Sequence, residues 1–319
     1  MSPAEDLRPF PVARRSLEAE ARRLGIRHLA FLGSRAFKAQ LGHLDPETRA
    51  RYDCDLVGAA MVVALAFDEG PPAVSGAVPL ARIARFARAN WYRELVVRLQ
   101  GAAARAMGAL REAGIDPGPP RSWRSLANSG LPERPLALAA GLGHIGRSGL
   151  LLVPDDGPGV VLGLLLMPDI FGEVEAGVVE GPDQAREGFP DCGSCRACVD
   201  ACPTGALSVD RGFDRERCLQ HWASRAGSLP AQVEEHWGDR LYGCDSCTES
   251  CPRFGGRASI LPTIGCIGVG IPAADLASAS DGELKARFKG SALGQSWIEG
   301  GAIRRSARLC LARAADQGI

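Results

Sequence analysis

The sequence predicts a mixed α/β (α+β) protein: a large front domain of strands and helices, a cysteine-rich module, and a short helical tail. Three observations carry this prediction. Apolar runs of strand length, "RHLAFLG" (27–33), "LVGAAMVVALAF" (56–67) and residues 159–167, alternate with segments of helical periodicity. Eight of the eleven cysteines crowd into residues 192–251. Residues 255–319 begin irregular and end in a helical pattern rich in arginine. The expected divisions are 1–180, 181–256 and 257–319.

In chain order, residues 16–24, "SLEAEARRL", read as a helix capped by Ser16 and stopped by Gly25. The runs 27–33 and 56–67 follow as strands, and "DEGPPAVSGA" (68–77) as a loop. Residues 80–113 hold apolar side chains at helical spacing with no proline, so one long helix or two abutting ones are expected. A short helix then runs into a glycine-rich turn. Strands at 149–153 and 159–167 flank "PDDGPG" as a hairpin. Residues 168–190 read as an acidic loop.

The chain has 319 residues, 46% hydrophobic and 23% charged, with 37 basic and 37 acidic side chains. Zero formal charge gives no global attraction to a polyanion, which leaves only local patches. The start of the chain does not read as a secretory signal, and the longest apolar runs are too short to span a bilayer as helices. A cytoplasmic, non-membrane protein is expected. In that reducing compartment clustered cysteines mean metal rather than disulfides.

The cysteine spacing is specific. Cys192, Cys195, Cys198 and Cys202 form C-x2-C-x2-C-x3-C-P; Cys218 stands alone; Cys244, Cys247 and Cys251 close with Pro252. In two-cluster ferredoxins a short loop wraps three thiolates around one cube, and the fourth cysteine ligates the other cube. Two 4Fe-4S clusters are therefore expected, one on Cys192, Cys195, Cys198 and Cys251, the other on Cys202, Cys218, Cys244 and Cys247. A zinc site would use four of these and leave four idle. Cys54, Cys266 and Cys310 fall outside the pattern and read as small buried hydrophobes.

The segments "IARFARANWY" (83–92), "ALAAGLGHIGRSGLLL" (137–152), "CGSCRACVDACPTGAL" (192–207), "YGCDSCTESCP" (242–252) and "LKARFKGSAL" (284–293) occur in order. Together they resemble the epoxyqueuosine reductase family, cobalamin-dependent iron–sulfur enzymes of tRNA modification, over residues 16–314. The resemblance implies a front domain akin to B12-processing and nitroreductase-like folds. It implies cobalamin, contacted by Gly141, Gly143, Gly146, Arg147 and Ser148 of the glycine turn, with Gln220 and His221 between corrinoid and cluster. It also implies tRNA as a partner, an external low-potential electron donor of ferredoxin or flavodoxin type, and a monomer.

Three positions depart from the family. Its proton-donating aspartate aligns with Ala127, or with Asn128 after a one-residue shift. Glu133 is the nearest carboxylate and the candidate replacement; its bland alternative is an exposed glutamate at a helix start. The family's tryptophan in the glycine turn is His144, a candidate acid or ligand against the alternative of a surface histidine. The "DYH" that ends the first motif reads "NWYRE". The variant readings are a relative with another leaving group, as in reductive dehalogenation, or an electron-transfer protein without corrinoid. Basic residues in 285–313 suit tRNA phosphates or a solvated helix face. Trp123, Trp222, Trp237 and Trp297 suit stacking or core packing.

Overall fold

A computed structural model of the chain describes residues 8–67, 79–171, 192–255 and 260–316. The expected loop at 68–77, residues 172–190 of the loop expected at 168–190, and the domain boundaries at 180/181 and 256/257 lie outside the described residues.

The front domain is built on a four-stranded sheet in the order β1-β2-β7-β4, where β1 is His28–Gly33, β2 Val57–Ala66, β4 Arg124–Ala127 and β7 Val160–Pro168. All three pairings are antiparallel. All ten residues of β2 are buried, so its apolar run packs on both faces. Met61, Val63 and Leu65 face one core with Leu17 of α1 (Pro9–Arg23) and Leu95 and Leu99 of α4 (Trp91–Glu112). Ala60, Val62 and Ala64 face the other, with Phe37 of α2 (Ser34–Ala39) and Leu136 of α5 (Glu133–Ala139). The odd/even split follows from the two-residue period of a strand. A side chain at Gly163 would meet Leu95 at 2.7 Å, so the missing Cβ admits α4 to the sheet.

Several elements differ from the sequence expectation. The first helix starts at Pro9, not at Ser16, which lies inside it. Proline suits a first turn, where its missing N–H has no helical partner anyway. The stop at Gly25 stands: Ile26 N–H reaches Ala21 C=O and Gly25 N–H reaches Arg22 C=O, a Schellman closure. Residues 80–90 are not helical. They form β3 (Leu80–Ile83) and a 3-10 turn (Arg85–Ala87), and α4 starts where the Asn90 side chain accepts the Arg93 N–H. The partners of β3 lie far along the chain: β10 (Arg240–Tyr242) in parallel and β11 (Gly270–Pro272) antiparallel. A helix-period window cannot register pairing across that distance.

The expected hairpin is also different. β6 (Leu151–Leu152) pairs with β5 (His144–Ile145), while β7 pairs within the main sheet. "PDDGPG" closes on itself through a Val153–Gly157 bridge and buries Asp156, which bonds Arg27 Nη2 and His28 Nε2, each at 2.7 Å. The Asp156 carbonyl accepts the Gly255 N–H, tying this turn to the end of the cysteine module.

The second core joins β3, β10 and β11 to the tail. Ile83, Trp237, Leu241 and Phe288 pack with Ile303 and Cys310 of the helix Gly300–Asp316. Arg85 binds both ways at the junction: its N–H reaches Asp245 at 2.6 Å and its Nε reaches Glu249 at 2.8 Å. Among the described residues no helix is long and apolar enough to cross a membrane.

Candidate redox site

The cysteines converge as two sets. Cys192 and Cys195 lie on the loop that enters the helix Ala197–Asp200, Cys198 lies in that helix, and Cys251 follows the helix Ser246–Glu249. Cys198 has Cys192, Cys195 and Cys251 as its electrostatic neighbours. Cys247 has Cys244, Cys218 and Cys202. These groupings agree with the crossover expected from the spacing. Among the described residues no three ligand-type side chains close on a point that would hold a single ion. Eight thiols in two sets of four match two cubes in number, where a single zinc would use only four. Burial first, then Cys244, pushes Cys247 up to about 12.

The two sets differ in surroundings. Cys195 is exposed at the surface, and Arg147 grips its loop. Cys202, Cys218, Cys244 and Cys247 instead border a cavity of about 700 Å³ between the front domain and the cysteine module. Phe67, Leu131, Pro132, Val161 and Leu162 supply apolar wall, and Glu133, Asn128, Tyr92, Ser148 and Gln220 supply polar atoms.

Glu133 faces this cavity from the first turn of α5 and is not the exposed helix-start glutamate of the bland reading. Its Oε1 accepts the Ser129 N–H at 2.8 Å and the Ser129 hydroxyl at 3.0 Å. Burial raises its pKa, and those hydrogen bonds oppose the rise. Asn128 precedes this clamp in a left-handed conformation, φ 50°. Burial, with Tyr242 and Glu133 nearby, pushes Tyr92 up to about 12, so it stays a neutral donor. Tyr242 is held raised by burial, against hydrogen bonds with Gln220 and Trp297.

The residues proposed for the corrinoid and the chemistry separate here. Glu133, Ser148 and Gln220 reach the cavity. Gly143 and Gly146 serve packing: a Cβ on Gly143 would sit 2.0 Å from Leu152 O, and one on Gly146 would meet the Leu152 side chain at 2.7 Å. Gly141 holds φ 73° where α5 ends. His144 pairs with Leu152 in the β5–β6 ladder, outside the cavity wall. His221 turns toward Arg225 and Glu216 and packs edge-on to Trp222.

The basic tail is largely engaged in holding the fold. Arg287 pairs with Asp275, Arg304 with Asp281, Arg305 bonds three carbonyls, and Arg308 bonds Ala277 O. Lys285 and Lys289 remain exposed. Trp123 and Trp237 are core residues, whereas Trp297 is 47% exposed. Cys54 and Cys310 are buried as expected, but Cys266 is exposed. Sequence reasoning missed Tyr92 as a cavity-lining group; the Asn90 cap, which fixes where α4 starts, was the available signal.

A mixed α/β scaffold that sets four thiols against a cavity and groups four more beside it, one of them exposed, has the ligand set of a double-cluster iron–sulfur protein. Residues 191–253 match the 4Fe-4S double cluster binding domain family. The chain is similar to the epoxyqueuosine reductases in sequence and in fold. It is 29% identical to the enzyme of Bacillus anthracis over 221 residues, 67% of this chain and 54% of the relative. It is 32% identical to that of Shewanella oneidensis over 203 residues, 61% of this chain and 48% of the relative. The chain thus spans about half the length of these curated relatives. The structure of epoxyqueuosine reductase from Streptococcus thermophilus superposes with a TM-score of 0.73 at 21% identity, covering 96% of this chain and 82% of that one. An epoxyqueuosine reductase solved with an epoxyqueuosine-modified tRNA stem loop gives 0.70 at 24% identity, with the same coverage.

Proposed function

We propose that this chain is a cobalamin-dependent iron–sulfur reductase acting on epoxyqueuosine in tRNA. The observation that carries the reading is the cavity, bordered by one cysteine set and walled in part by the half-buried carboxyl of Glu133. Its volume and apolar walls suit a large flat ligand. Ser148 and Gln220 would hold the corrinoid edge, and the eight cysteines would hold two 4Fe-4S clusters. Cobalamin bound there supplies a strongly reducing cobalt centre, and the clusters supply single electrons.

The chain's own residues do the rest. Phe67, Leu131, Val161 and Leu162 keep water from the site, which protects a reducing centre from stray protonation. Burial shifts Glu133 upward, toward its acid form, and the two Ser129 donors hold its Oε1 in place. Removal of an epoxide oxygen needs such an acid. Glu133 thereby stands in for the family's aspartate. tRNA would be the macromolecular substrate, with Lys285 and Lys289 free to meet phosphates, and a low-potential carrier protein the electron source.

The test has two parts. Anaerobic protein incubated with cobalamin should keep corrinoid absorption after desalting; an iron–sulfur band alone would leave an electron-transfer protein. In a strain lacking the reductase, wild type should restore queuosine in tRNA and Glu133→Gln should not. No rescue by wild type removes the tRNA substrate, and rescue by both removes Glu133 as the acid.

A further inference from the structure

We propose that Arg147 is a positioning residue of the outer iron–sulfur cluster, the one on Cys192, Cys195, Cys198 and Cys251, and that it sets that cluster's reduction potential. This rests on the double-cluster reading, not on the corrinoid. Three contacts place it. The Arg147 backbone N–H donates to Cys192 Sγ at 3.2 Å, Nε donates to Cys195 C=O at 3.0 Å, and Nη2 donates to Gly193 C=O at 2.8 Å. One residue thus engages two ligand cysteines and the glycine between them.

The base from which it reaches is rigid. Gly146 N–H bonds Leu150 C=O, Gly149 N–H bonds Gly146 C=O, and Arg134 Nη1 bonds Gly149 C=O at 2.8 Å. Leu152 packs where a Gly146 side chain would be. The turn is therefore a fixed anchor and the cysteine loop is what it holds. The side-chain contacts given above go to carbonyl oxygens, which leave the positive charge uncancelled. The inner set has hydroxyl neighbours instead: Thr204 lies 3.9 Å from Cys202 Sγ and Ser246 lies 3.4 Å from Cys244 Sγ.

Reduction adds negative charge to a cluster. An N–H donated to a ligand sulfur and a cation over the ligand loop both favour that charge, so they raise the potential. Taking the cation away should lower it. The expected size is about tenfold in the reduction equilibrium, which for a one-electron couple is about 59 mV.

The experiment compares wild type, Arg147→Gln and Arg147→Lys, purified anaerobically, by iron content and by redox titration followed with electron paramagnetic resonance. Arg147→Gln should lower one of the two cluster potentials by about that amount and leave the other in place, and Arg147→Lys should recover most of the shift. Selective loss of about four of eight irons in Arg147→Gln, with the remaining cluster unshifted, also supports the holding role. Unchanged potentials in Arg147→Gln, equal shifts of both clusters, or loss of all iron in both variants would overturn the proposal. Zinc or missing iron in wild type would instead remove the cluster reading itself.

Discussion

Replacing Glu94 with alanine should loosen the junction between the two cores. Glu94 Oε1 accepts from Arg98 Nη2 at 3.0 Å and Nε at 3.2 Å, while Oε2 accepts the N–H groups of Thr263 and Ile264 at 3.1 and 3.2 Å. The two side chains are 9% and 5% exposed. Glu94→Ala leaves a buried guanidinium without its anion and two backbone donors without an acceptor. Breaking a buried pair this way costs about 3–5 kcal/mol. For 319 residues, an unfolding entropy near 2.1 cal/mol/K per residue turns about 4 kcal/mol into a fall of about 6 °C in the unfolding midpoint. Thermal unfolding of the anaerobic protein reads this directly. Glu94→Leu combined with Arg98→Met should regain most of the loss, because apolar volume replaces both charges together. The same turn of α4 carries Tyr92, so Glu94→Ala should also weaken ligand retention in the cavity. A fall under about 1 kcal/mol, or a double variant no better than the single one, would show that the pair is not what fastens 260–264 to α4.

Three further outcomes are expected. Cys198→Ala and Cys202→Ala, only four residues apart, should each lose about four irons but from different clusters; loss of the same spectroscopic signal in both would disprove the crossover. Glu133→Gln should gain stability relative to wild type as pH rises. The raised folded-state pKa of Glu133 contributes stability that is complete below its ordinary value and lost as pH climbs through the raised one; a midpoint difference that stays flat with pH would contradict this. Gly149→Ala, at φ 75° with open space around it, should cost about 1–2 kcal/mol. Gly143→Ala should cost more because its Cβ would enter the Leu152 carbonyl, and the reverse ranking in unfolding midpoints would sink the packing account of that turn.

What the sequence made legible was whatever is written locally. The runs at 57–66 and 160–168 are apolar throughout because both faces of β2 and most of β7 are buried, and so they read as strands without a partner being known. The cysteine grouping was readable as the two-cluster ferredoxin spacing, and the neighbours of Cys198 and Cys247 agree with it. β3 was not. Its residues "LARI" share the spacing of the helix that follows, and only β10 and β11, more than 150 residues away, make it a strand. Glu133 shows the same limit at the site. Its neighbours in sequence suggest an exposed helix start; the cavity that buries it is completed by residues 202–248. Arg147 read as a cofactor contact by resemblance, and its grip on Cys195 and Gly193 became visible only in three dimensions.

The position of Leu80–Ile83 between Arg240–Tyr242 and Gly270–Pro272 bears on how the molecule is made. A ribosome delivers this strand long before either neighbour exists, so both of its edges stay bare while the rest of the chain emerges. The cysteines that take the metal arrive within that same interval. Expression under iron starvation should therefore yield more aggregate than expression with iron supplied, read as the soluble fraction of the protein.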